Sequence, residues 1–429
     1  MNLTVVPNAT CTYCGCLCDD IELHANHERI VEARRACTLG RAWFFNNTTQ
    51  HQFPAALVDG RPATVNSALD AAATILNDAD MPLVFGLGHS TCESQRAAVM
   101  LTEQIGGVID SHTSLTHGPT KMAAQLVGKI TCTLGEVMNR ADLIVYWGTN
   151  PVETHPRHLT KFALTPKGRF VPGGRRDRTM ILVDVRETLT ARAADVFLQI
   201  RPGADFELLT ALRALVNGQA IDEDLVEASG LTLDQLIDLV ERMKRARFGV
   251  FFFGTGLTMT RGKHMNVAAL TALTVALNAF TKFAAMPMRD AGNEAGADNV
   301  MTWLTGYPFA VDFSRGYPRY NPGEFTAVDL LVRGEADAAL IVAADPWTTM
   351  PQAALDHLDR IPHVVIDRKV TPPGRTARVH FTTAVPGIST PGTAYRMDKV
   401  PLSIRPALTA AHATDEMVLH GIHQAVTEK

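Results

Sequence analysis

The chain has 429 residues, with 40 Lys and Arg against 44 Asp and Glu, so its formal net charge is −4. Hydrophobic residues make up 46% and charged residues 20%, a balance that excludes a largely disordered chain. The near-neutral charge gives no general reason to bind nucleic acid or anionic lipid. The longest apolar run, near Ala268–Phe280, is too short to span a membrane. The length of the chain predicts two to four domains.

The N-terminal residues carry the first chemical signal. Met1–Ala9 has neither the basic nor the apolar segment of a signal peptide, which predicts a cytoplasmic protein. Five of the seven cysteines follow within the first 37 residues, and the other two are Cys92 and Cys132. Disulfides would be spread along the chain to close long loops, whereas thiols at this density suit a metal or a cluster.

The spacing of these cysteines predicts a small metal-binding module over Cys11–Asn47, here called the cysteine module. Four thiolates at this spacing can hold one [4Fe–4S] cluster or a structural zinc ion, and reduced cysteines without metal are a third possibility. Cys16 is an extra thiol between the ligands, and the spacing alone does not decide among the three. The candidate ligands are Cys11, Cys14, Cys18 and Cys37.

After a linker around Thr48–Pro54, short apolar strands alternate with helical stretches. Continuous apolar strands alternating with helices predict parallel sheets covered on both faces, in an α/β fold. The predicted strands are Pro82–Gly88, Leu143–Gly148, Met180–Val185, Val196–Ile200, Phe248–Gly254, Ala339–Ala343 and His363–Asp367. The predicted helices are Glu93–Ile105, Asp205–Val216 and Leu233–Arg247.

Two patterns occur twice along the chain. Val84–Thr91 and Phe252–Thr258 both run from an apolar strand into F-G-x-G and then a helix. Ala141–Pro151 and Ala336–Pro346 both end a strand at a small residue, then Asn or Asp, then Pro. Because both patterns occur a second time along the chain, the sequence favours two related nucleotide-binding-like halves. Such turns let the backbone and a helix N-terminus approach a phosphate, although each can also be a tight turn without a ligand.

Other motifs are weaker. Thr116-His117-Gly118-Pro119 places a histidine in a loop, where it can act as a general acid or base. His155 and His158 have no evident carboxylate or cysteine partner, so we expect no metal site there. Pro172–Arg178 is a basic, glycine-rich loop that suits phosphate or, more simply, a solvated loop or subunit contact.

Together these motifs resemble one family, the B subunits of the molybdopterin- or tungstopterin-containing formylmethanofuran dehydrogenases. These subunits are shortened relatives of formate dehydrogenase and dimethyl-sulfoxide-reductase-type enzymes. The resemblance runs nearly end to end and includes the cysteine module and the His117 loop. Its further motifs are Gly135–Val137, Asn139–Asp142, Tyr146–Pro151, His155–His158, Asp177–Thr179, Val183–Arg186 and Gly392–Asp398.

The resemblance implies two nucleotide-binding-like parallel-sheet domains around a pair of pterin guanine dinucleotides, with one [4Fe–4S] cluster in a small N-terminal domain. We therefore predict a cysteine domain (1–53), a first nucleotide-binding-like domain (54–112 with 248–390), a second one (113–247) and a C-terminal segment (391–429). The loops that would hold the dinucleotides contribute Gly148, Asn150, Asp184, Gly254, Gly256 and Asp345.

The resemblance also implies that a cysteine or selenocysteine ligates the metal just before the His-Gly-Pro loop, where this chain has Thr116. A neutral hydroxyl is a poorer ligand for Mo or W than a thiolate. We therefore expect that the Mo or W pterin is lost, that its loops are vestigial and that neither Thr116 nor His117 is catalytic.

Because it lacks this metal ligand, the chain most resembles the β subunit of the bacterial formyltransferase/hydrolase complex. That complex converts formyl-tetrahydromethanopterin to formate through a formyl-methanofuran analogue, and its β subunit is a scaffold. The expected partners are amidohydrolase-like, β-helix-like and formyltransferase subunits. One alternative is an active dehydrogenase subunit that reduces CO2 or oxidises formyl groups. Another is an interaction module with metal at the cysteines and an empty pterin cleft.

Overall fold

The structure is a computed structural model that describes residues 3–48, 50–370 and 376–429. The strands are β1 (Thr4–Ala9), β2 (Ile21–Ala25), β3 (Ile30–Arg34), β4 (Ala56–Val58), β5 (Arg61–Pro62), β6 (Pro82–Gly86), β7 (Val108–Ser111), β8 (Leu143–Trp147), β9 (Thr179–Asp184), β10 (Val196–Gln199), β11 (Phe248–Phe253), β12 (Lys282–Pro287), β13 (Val311–Asp312), β14 (Arg319–Tyr320), β15 (Ala338–Val342), β16 (His363–Asp367), β17 (Val379–Thr382), β18 (Gly392–Tyr395) and β19 (Pro401–Ile404).

The α-helices are α1 (Thr38–Asn46), α2 (Val65–Asn77), α3 (Cys92–Gln104), α4 (Thr113–Thr116), α5 (Gly118–Val127), α6 (Leu134–Arg140), α7 (Pro151–Thr154), α8 (Asp205–Val216), α9 (Glu223–Ser229), α10 (Leu233–Arg245), α11 (Thr255–Thr258), α12 (His264–Leu277), α13 (Glu294–Thr305), α14 (Ala327–Arg333), α15 (Pro346–Thr349), α16 (Gln352–Leu358) and α17 (Asp415–Thr427). Short 3₁₀ turns span Gln50–Gln52, Gly174–Asp177 and Ala191–Ala193, and a π-helix spans His158–Ala163. In the described part of the chain, no helix is long and apolar enough to cross a membrane.

The chain divides into two compact units. The first unit comprises Met1–Leu115 and Ala291–Lys429, and the second comprises Thr116–Asp290. The predicted α/β class with parallel sheets is confirmed in both. The predicted boundary at residue 247 differs from this division, because residues 248–290 belong to the second unit, where β11 pairs with β8 and β12.

The second unit contains a five-stranded parallel sheet in the order β10-β9-β8-β11-β12. Strands β8, β9 and β10 follow one another towards one edge of the sheet. The next strands in the sequence, β11 and β12, lie on the other side of β8. The strand order therefore reverses between β8 and β11, which is where ligands bind in open α/β sheets. Apolar residues of α8, α10 and α12 form one core with this sheet.

Helix α10 illustrates how local sequence fixes these covering helices. Thr232 caps the first turn, and its hydroxyl and the Gln235 side chain satisfy each other's backbone N–H groups. Buried residues then recur at the three- and four-residue spacing of one helix face. These residues are Leu236, Leu239, Val240 and Met243. The face packs into the core of the second unit.

The first unit contains a nine-stranded sheet in the order β14-β13-β7-β6-β15-β16-β17-β4-β5. The five central strands are parallel, and the short outer pairs β13–β14 and β4–β5 join them through antiparallel pairing. Here the strand order reverses between β6 and β15. Strands β6, β15 and β16 are buried along their whole length, as the continuous apolar runs predict.

The repeated sequence patterns meet in the same way in both units. The strand that ends in F-G-x-G lies beside the strand that ends in Asn-Pro or Asp-Pro: β6 pairs with β15, and β11 pairs with β8. Each sheet therefore takes one of these central strands from each half of the sequence. In both sheets the two turns come together where the strand order reverses.

Two small sheets complete the first unit. Strands β1, β2 and β3 form an antiparallel sheet at the cysteine module, and β18 pairs with β19 in the predicted C-terminal segment. The structure groups both with the nine-stranded sheet rather than as separate bodies.

Candidate functional site

Four cysteines of the cysteine module lie in one small backbone loop. The loop between β1 and β2 closes on itself, because Cys11 donates its N–H to the carbonyl of Cys18 at 2.9 Å. Leu17 adopts a positive φ of 37° and donates to the carbonyl of Cys14 at 3.0 Å. Cys11 and Cys18, which are seven positions apart, therefore lie at the two ends of one small loop.

Cys37 approaches this loop from the start of α1. Its sulfur caps the helix and accepts the Gly40 N–H at 3.3 Å. A Cβ atom at Gly40 would lie 3.2 Å from the sulfur of Cys11 and 3.6 Å from that of Cys37. Both sulfurs therefore flank the same point, and glycine leaves room for them.

The thiols interact electrostatically. Burial raises the pKa of Cys11 well above its ordinary value, and the nearby Cys14, Cys18 and Cys37 raise it further. A hydrogen bond to Cys14 and, to a smaller extent, burial raise the pKa of Cys16 well above its ordinary value. Ionising four such thiols together is unfavourable unless a cation or cluster offsets their charge.

This donor set fits an iron–sulfur cluster. Among residues 3–48, 50–370 and 376–429, no group of three or more His, Cys, Asp or Glu side chains is arranged around a single metal ion. A [4Fe–4S] cluster takes one cysteine at each of its four iron atoms, and Cys11, Cys14, Cys18 and Cys37 match that number. Soft thiolates at the end of a capped helix supply the chemistry that such a cluster needs.

Thr116 and His117 lie where α4 gives way to α5. Thr116 is buried, and its carbonyl accepts a hydrogen bond from the Thr258 hydroxyl at 2.6 Å. The His117 Nε2 atom lies 2.8 Å from the carbonyl of Met288, so it must donate there, while Nδ1 lies 3.2 Å from the Thr120 hydroxyl. Both ring nitrogens are engaged in positioning contacts, which disfavours a free general base.

The central turns of the second unit interlock through their glycines. Gly148 has a φ of +55°, and a Cβ atom there would lie 2.7 Å from the carbonyl carbon of Gly256. Gly256 donates its N–H to the Gly148 carbonyl at 3.0 Å, and Gly254 donates to that of Trp147 at 3.1 Å. Contact between the two turns thus requires these glycines, with or without a phosphate.

A polar cavity of about 350 Å³ opens beside these turns, at the carboxyl ends of β8 and β9. The Asn150 Oδ1 atom accepts the Thr190 hydroxyl at 2.6 Å, and Thr190 in turn accepts the Val152 N–H at 3.2 Å. This network holds the two loops together. The lining residues are Asn150, Glu153, Arg186, Glu187, Thr188, Leu189 and Arg192.

The position of this cavity fits a dinucleotide, but its charge does not favour one strongly. Arg186 and Arg192 are offset by Glu153 and Glu187, so the lining has no formal excess of positive charge for phosphates. Asp184 ends β9 but does not line the cavity. Burial raises the pKa of this carboxyl group, although it accepts the Val185 N–H at 2.7 Å.

The matching turns of the first unit are built differently. Ala343 occupies the place of Gly148 and still adopts a positive φ of 46°. Leu87, in the F-G-x-G turn, donates its N–H to the carbonyl of Val342 at 2.8 Å. Asp345, the counterpart of Asn150, is exposed at the start of α15.

Side chains fill the space beside Asp367 in the first unit. Arg368 lies over the Trp43 ring, 4.8 Å from its centroid, and Trp43 stacks on His89 at 5.1 Å. The cavity that these groups share with buried Asp415 is about 10 Å³. In the part of the chain that the structure describes, this place is much smaller than the polar cavity of the second unit.

The basic loop Pro172–Arg178 has a structural role at its end. Arg178 is 3% exposed, and its guanidinium donates to the carbonyls of Ala141 and Leu164 at 3.0 Å and of Met138 at 2.6 Å. A side chain committed to these carbonyls is not available to phosphate. The His155 Nε2 atom lies 2.7 Å from the carbonyl oxygen of Arg289, and the His158 Nδ1 atom lies 2.8 Å from the Tyr146 hydroxyl.

Sequence reasoning missed the residues that shape the polar cavity. Thr188, Thr190 and Arg192 lie in an irregular loop whose sequence has no periodicity. A usable signal was present, because Asp184 is followed two positions later by Arg186, and Asp367 is followed two positions later by the basic residue Lys369 after the equivalent strand of the other sheet.

No family model matches the chain. It is 45% identical over 407 residues to the B subunit of the tungsten-containing formylmethanofuran dehydrogenase 2 of Methanocaldococcus jannaschii, covering 94% of this chain and 93% of that protein. It is 27% identical over 338 residues to the B subunit of the formyltransferase/hydrolase complex Fhc of Methylorubrum extorquens, covering 79% of this chain and 87% of that protein.

Solved structures agree with these relatives. The crystal structure of the formyltransferase/hydrolase complex FhcABCD from Methylorubrum extorquens with methylofuran matches with a TM-score of 0.72 and 26% identity, over 87% of this chain and 99% of that one. Acetylene hydratase from Pelobacter acetylenicus matches with a TM-score of 0.68 over 98% of this chain and 69% of that one, and at 12% identity it shows the fold alone. The chain belongs to the family of formylmethanofuran dehydrogenase B subunits.

Proposed function

We propose that this chain is a non-catalytic scaffold subunit of a cytoplasmic formyltransferase/hydrolase complex of one-carbon metabolism. The observation that carries the proposal is Thr116, which stands directly before His117 where the family resemblance implies a thiolate or selenolate ligand. A threonine hydroxyl remains protonated and neutral, whereas Mo and W centres in this family take a soft anionic ligand.

The surroundings of Thr116 support this proposal. The residue is buried, its carbonyl is bonded by Thr258, and the adjacent His117 ring is held between Met288 and Thr120. These contacts give Thr116 and His117 a positioning role in the second unit.

In the proposed complex, other subunits carry out the chemistry. A formyltransferase subunit would move the formyl group from tetrahydromethanopterin to a methanofuran analogue, and an amidohydrolase-like subunit would hydrolyse the product to formate. A β-helix-like subunit would complete the assembly. The relative whose solved structure is FhcABCD with methylofuran supports this set of partners.

The second candidate is an active Mo- or W-pterin dehydrogenase subunit, which would reduce CO2 or oxidise formyl groups. One observation favours it: the identity to the B subunit of the tungsten-containing enzyme is 45%, against 27% to the B subunit of the Fhc complex. In that case another group would ligate the metal, and the polar cavity beside Asn150 would be one end of a dinucleotide site.

Activity of the purified complex separates the two candidates. We expect no dye-linked oxidation of formyl groups or of formate in the wild-type complex, and intact formyl transfer and hydrolysis. Thr116→Cys should leave the redox assay at background, because the cavity beside the turns also lacks excess positive charge for phosphates. Thr116→Ser is the matched control for side-chain size. Redox activity in the wild type, abolished by Thr116→Val, would support the dehydrogenase instead.

We further propose that Cys11, Cys14, Cys18 and Cys37 hold one [4Fe–4S] cluster, whether or not the pterin remains. Cys18→Ser in the anaerobically purified complex should abolish the visible absorbance and the low-temperature EPR signal of the reduced cluster. Cys16→Ser should keep both, because Cys16 is not one of the four proposed ligands. Loss of iron in both variants, or in neither, would contradict this ligand set.

A further inference from the structure

The first unit has a second cleft, at the start of the helix α3 that follows its F-G-x-G turn. It has a volume of about 360 Å³ and lies among α3, α13 and β18. The residues that matter here are Glu93 and Arg96 on α3, Trp303 and Leu304 on α13, and Tyr395 on β18.

The cleft exposes large apolar side chains. Trp303 is 61% exposed and Leu304 is 46% exposed. The Trp303 ring meets the Tyr395 ring edge to face at 5.6 Å, which fixes its position. Contiguous exposed apolar surface is uncommon unless another protein covers it. Trp, Tyr and Arg are also the residues that contribute most strongly to protein interfaces.

Hydrogen bonds make the base of the cleft rigid. Asn293 donates from Nδ2 to the Ser90 carbonyl at 2.8 Å and accepts the Tyr395 N–H at 2.8 Å. Glu93 accepts the Thr393 N–H at 3.0 Å. A surface that is already ordered loses little conformational entropy when a partner binds, so it suits docking.

The charges around the cleft indicate what kind of partner fits. The carboxylate of Glu93 is already bonded within the chain. Arg96 is exposed, and no ion pair or hydrogen bond joins its guanidinium to any residue in the described ranges. An apolar cleft with an unpaired guanidinium at its rim complements an apolar side chain next to a carboxylate.

We propose that this cleft docks another subunit of the complex through an apolar side chain that has a neighbouring Asp or Glu. The proposal rests on the assembly proposed above. A second copy of the chain is a poorer occupant, because a two-fold contact places the same patch on both sides. Two concave clefts, each with an unpaired Arg96, would not be complementary.

Hydroxyl-radical footprinting with mass spectrometry tests the proposal directly. Oxidation of Trp303 is compared between the purified complex and the isolated chain at low concentration. We expect at least tenfold slower oxidation in the complex, whereas Met417, which is 63% exposed elsewhere in the first unit, should change little. Equal oxidation of Trp303 in both samples overturns the proposal, and so does protection in the isolated chain that appears only on self-association.

Variants then identify the contacts. Trp303→Ala and Arg96→Glu should each weaken association with the co-purified subunits at least tenfold, and charge reversal of the contacting carboxylate should restore binding to Arg96→Glu. Met417→Ala and Arg61→Glu, which change exposed residues elsewhere, are the matched controls. Normal assembly of both cleft variants overturns the proposal. Metal content tests the proposed function independently of this result.

Discussion

The turns that end the central strands of the two sheets share a backbone path but differ in residues. In the second unit, Gly148 has a φ of +55° and lies against Gly256. In the first unit, Ala343 keeps the same left-handed conformation at +46°. The fold therefore imposes the turn, and glycine is required only where a second backbone occupies the position of the side chain.

The two regions also differ in the space that they enclose. The second unit has a cavity of about 350 Å³ next to Asn150. Beside Asp367 in the first unit, Trp43 and Arg368 leave about 10 Å³ among the described residues. Among the described residues, two related strand arrangements thus differ in the space beside their turns.

The largest effect is expected from Gly148→Ala. The added methyl group would meet the Gly256 backbone at 2.7 to 2.9 Å in a left-handed residue, and overpacking plus backbone strain should cost about 4 kcal/mol. The measurement is the urea dependence of unfolding of the complex or of the isolated chain. Gly135→Ala is the control, because its nearest neighbour lies 3.7 Å away. A loss below about 1 kcal/mol at Gly148 would show that the turns are not tightly interlocked.

The free energy of unfolding should depend on pH because the first unit buries a carboxyl group near Asp367. Asp415 accepts hydrogen bonds from Ser90 at 2.8 Å and Thr383 at 2.6 Å, which lower its pKa, but burial dominates and, together with Asp367, raises the pKa to about 6. A carboxyl group whose folded pKa exceeds its unfolded value of about 3.9 stabilises the native state most below pH 4, and this contribution is lost as the pH rises through 6.

In the wild type, the Asp415 carboxyl group should lower the free energy of unfolding by roughly 3 kcal/mol between pH 4 and pH 6. Asp415→Asn should remove this pH dependence. Asp80→Asn, on an exposed loop, serves as the control. An unchanged profile for Asp415→Asn would mean that this core admits water and resembles the open cavity of the second unit.

The smallest effect is expected from Ala343→Gly. Removing the Cβ relieves a left-handed alanine, worth about 1 kcal/mol, while the greater freedom of glycine in the unfolded chain offsets part of that gain. A net stabilisation of about 0.5 kcal/mol should appear as a higher urea midpoint. Destabilisation would indicate that the Ala343 methyl packs usefully and that the two turns have diverged more than their backbones suggest.

Much of the α/β fold was predictable, because apolar periodicity and capping are local. The strand predicted over Phe248–Gly254 spans Phe248–Phe253, and the helix predicted over Leu233–Arg247 ends at Arg245. The partner of each strand was less accessible. The repeated turns predicted two related halves, but only tertiary pairing shows that β11 joins β8 rather than β6. Two-residue strands such as Val311–Asp312 carry no periodic signal at all.

The candidate site was also predictable only where its features are local in the sequence. Cysteine spacing alone predicted the metal-binding module, but the distinct role of Cys16 depends on which sulfur it contacts. The glycines at 148, 254 and 256 suggested phosphate approach, whereas the structure gives them a packing role between two turns that are distant in sequence. The loop that ends at Arg178 was interpreted as a solvated loop or subunit contact more readily than as a phosphate loop, and the buried role of Arg178 was not predicted because its carbonyl partners are brought together only by folding.

Elemental analysis of the anaerobically purified complex tests the central claim most directly. The proposed scaffold role predicts Mo and W far below one atom per chain, together with about four iron atoms per chain at the cysteine module. Stoichiometric Mo or W would contradict the scaffold role and restore the dehydrogenase, with a group other than a cysteine thiolate at Thr116 as ligand.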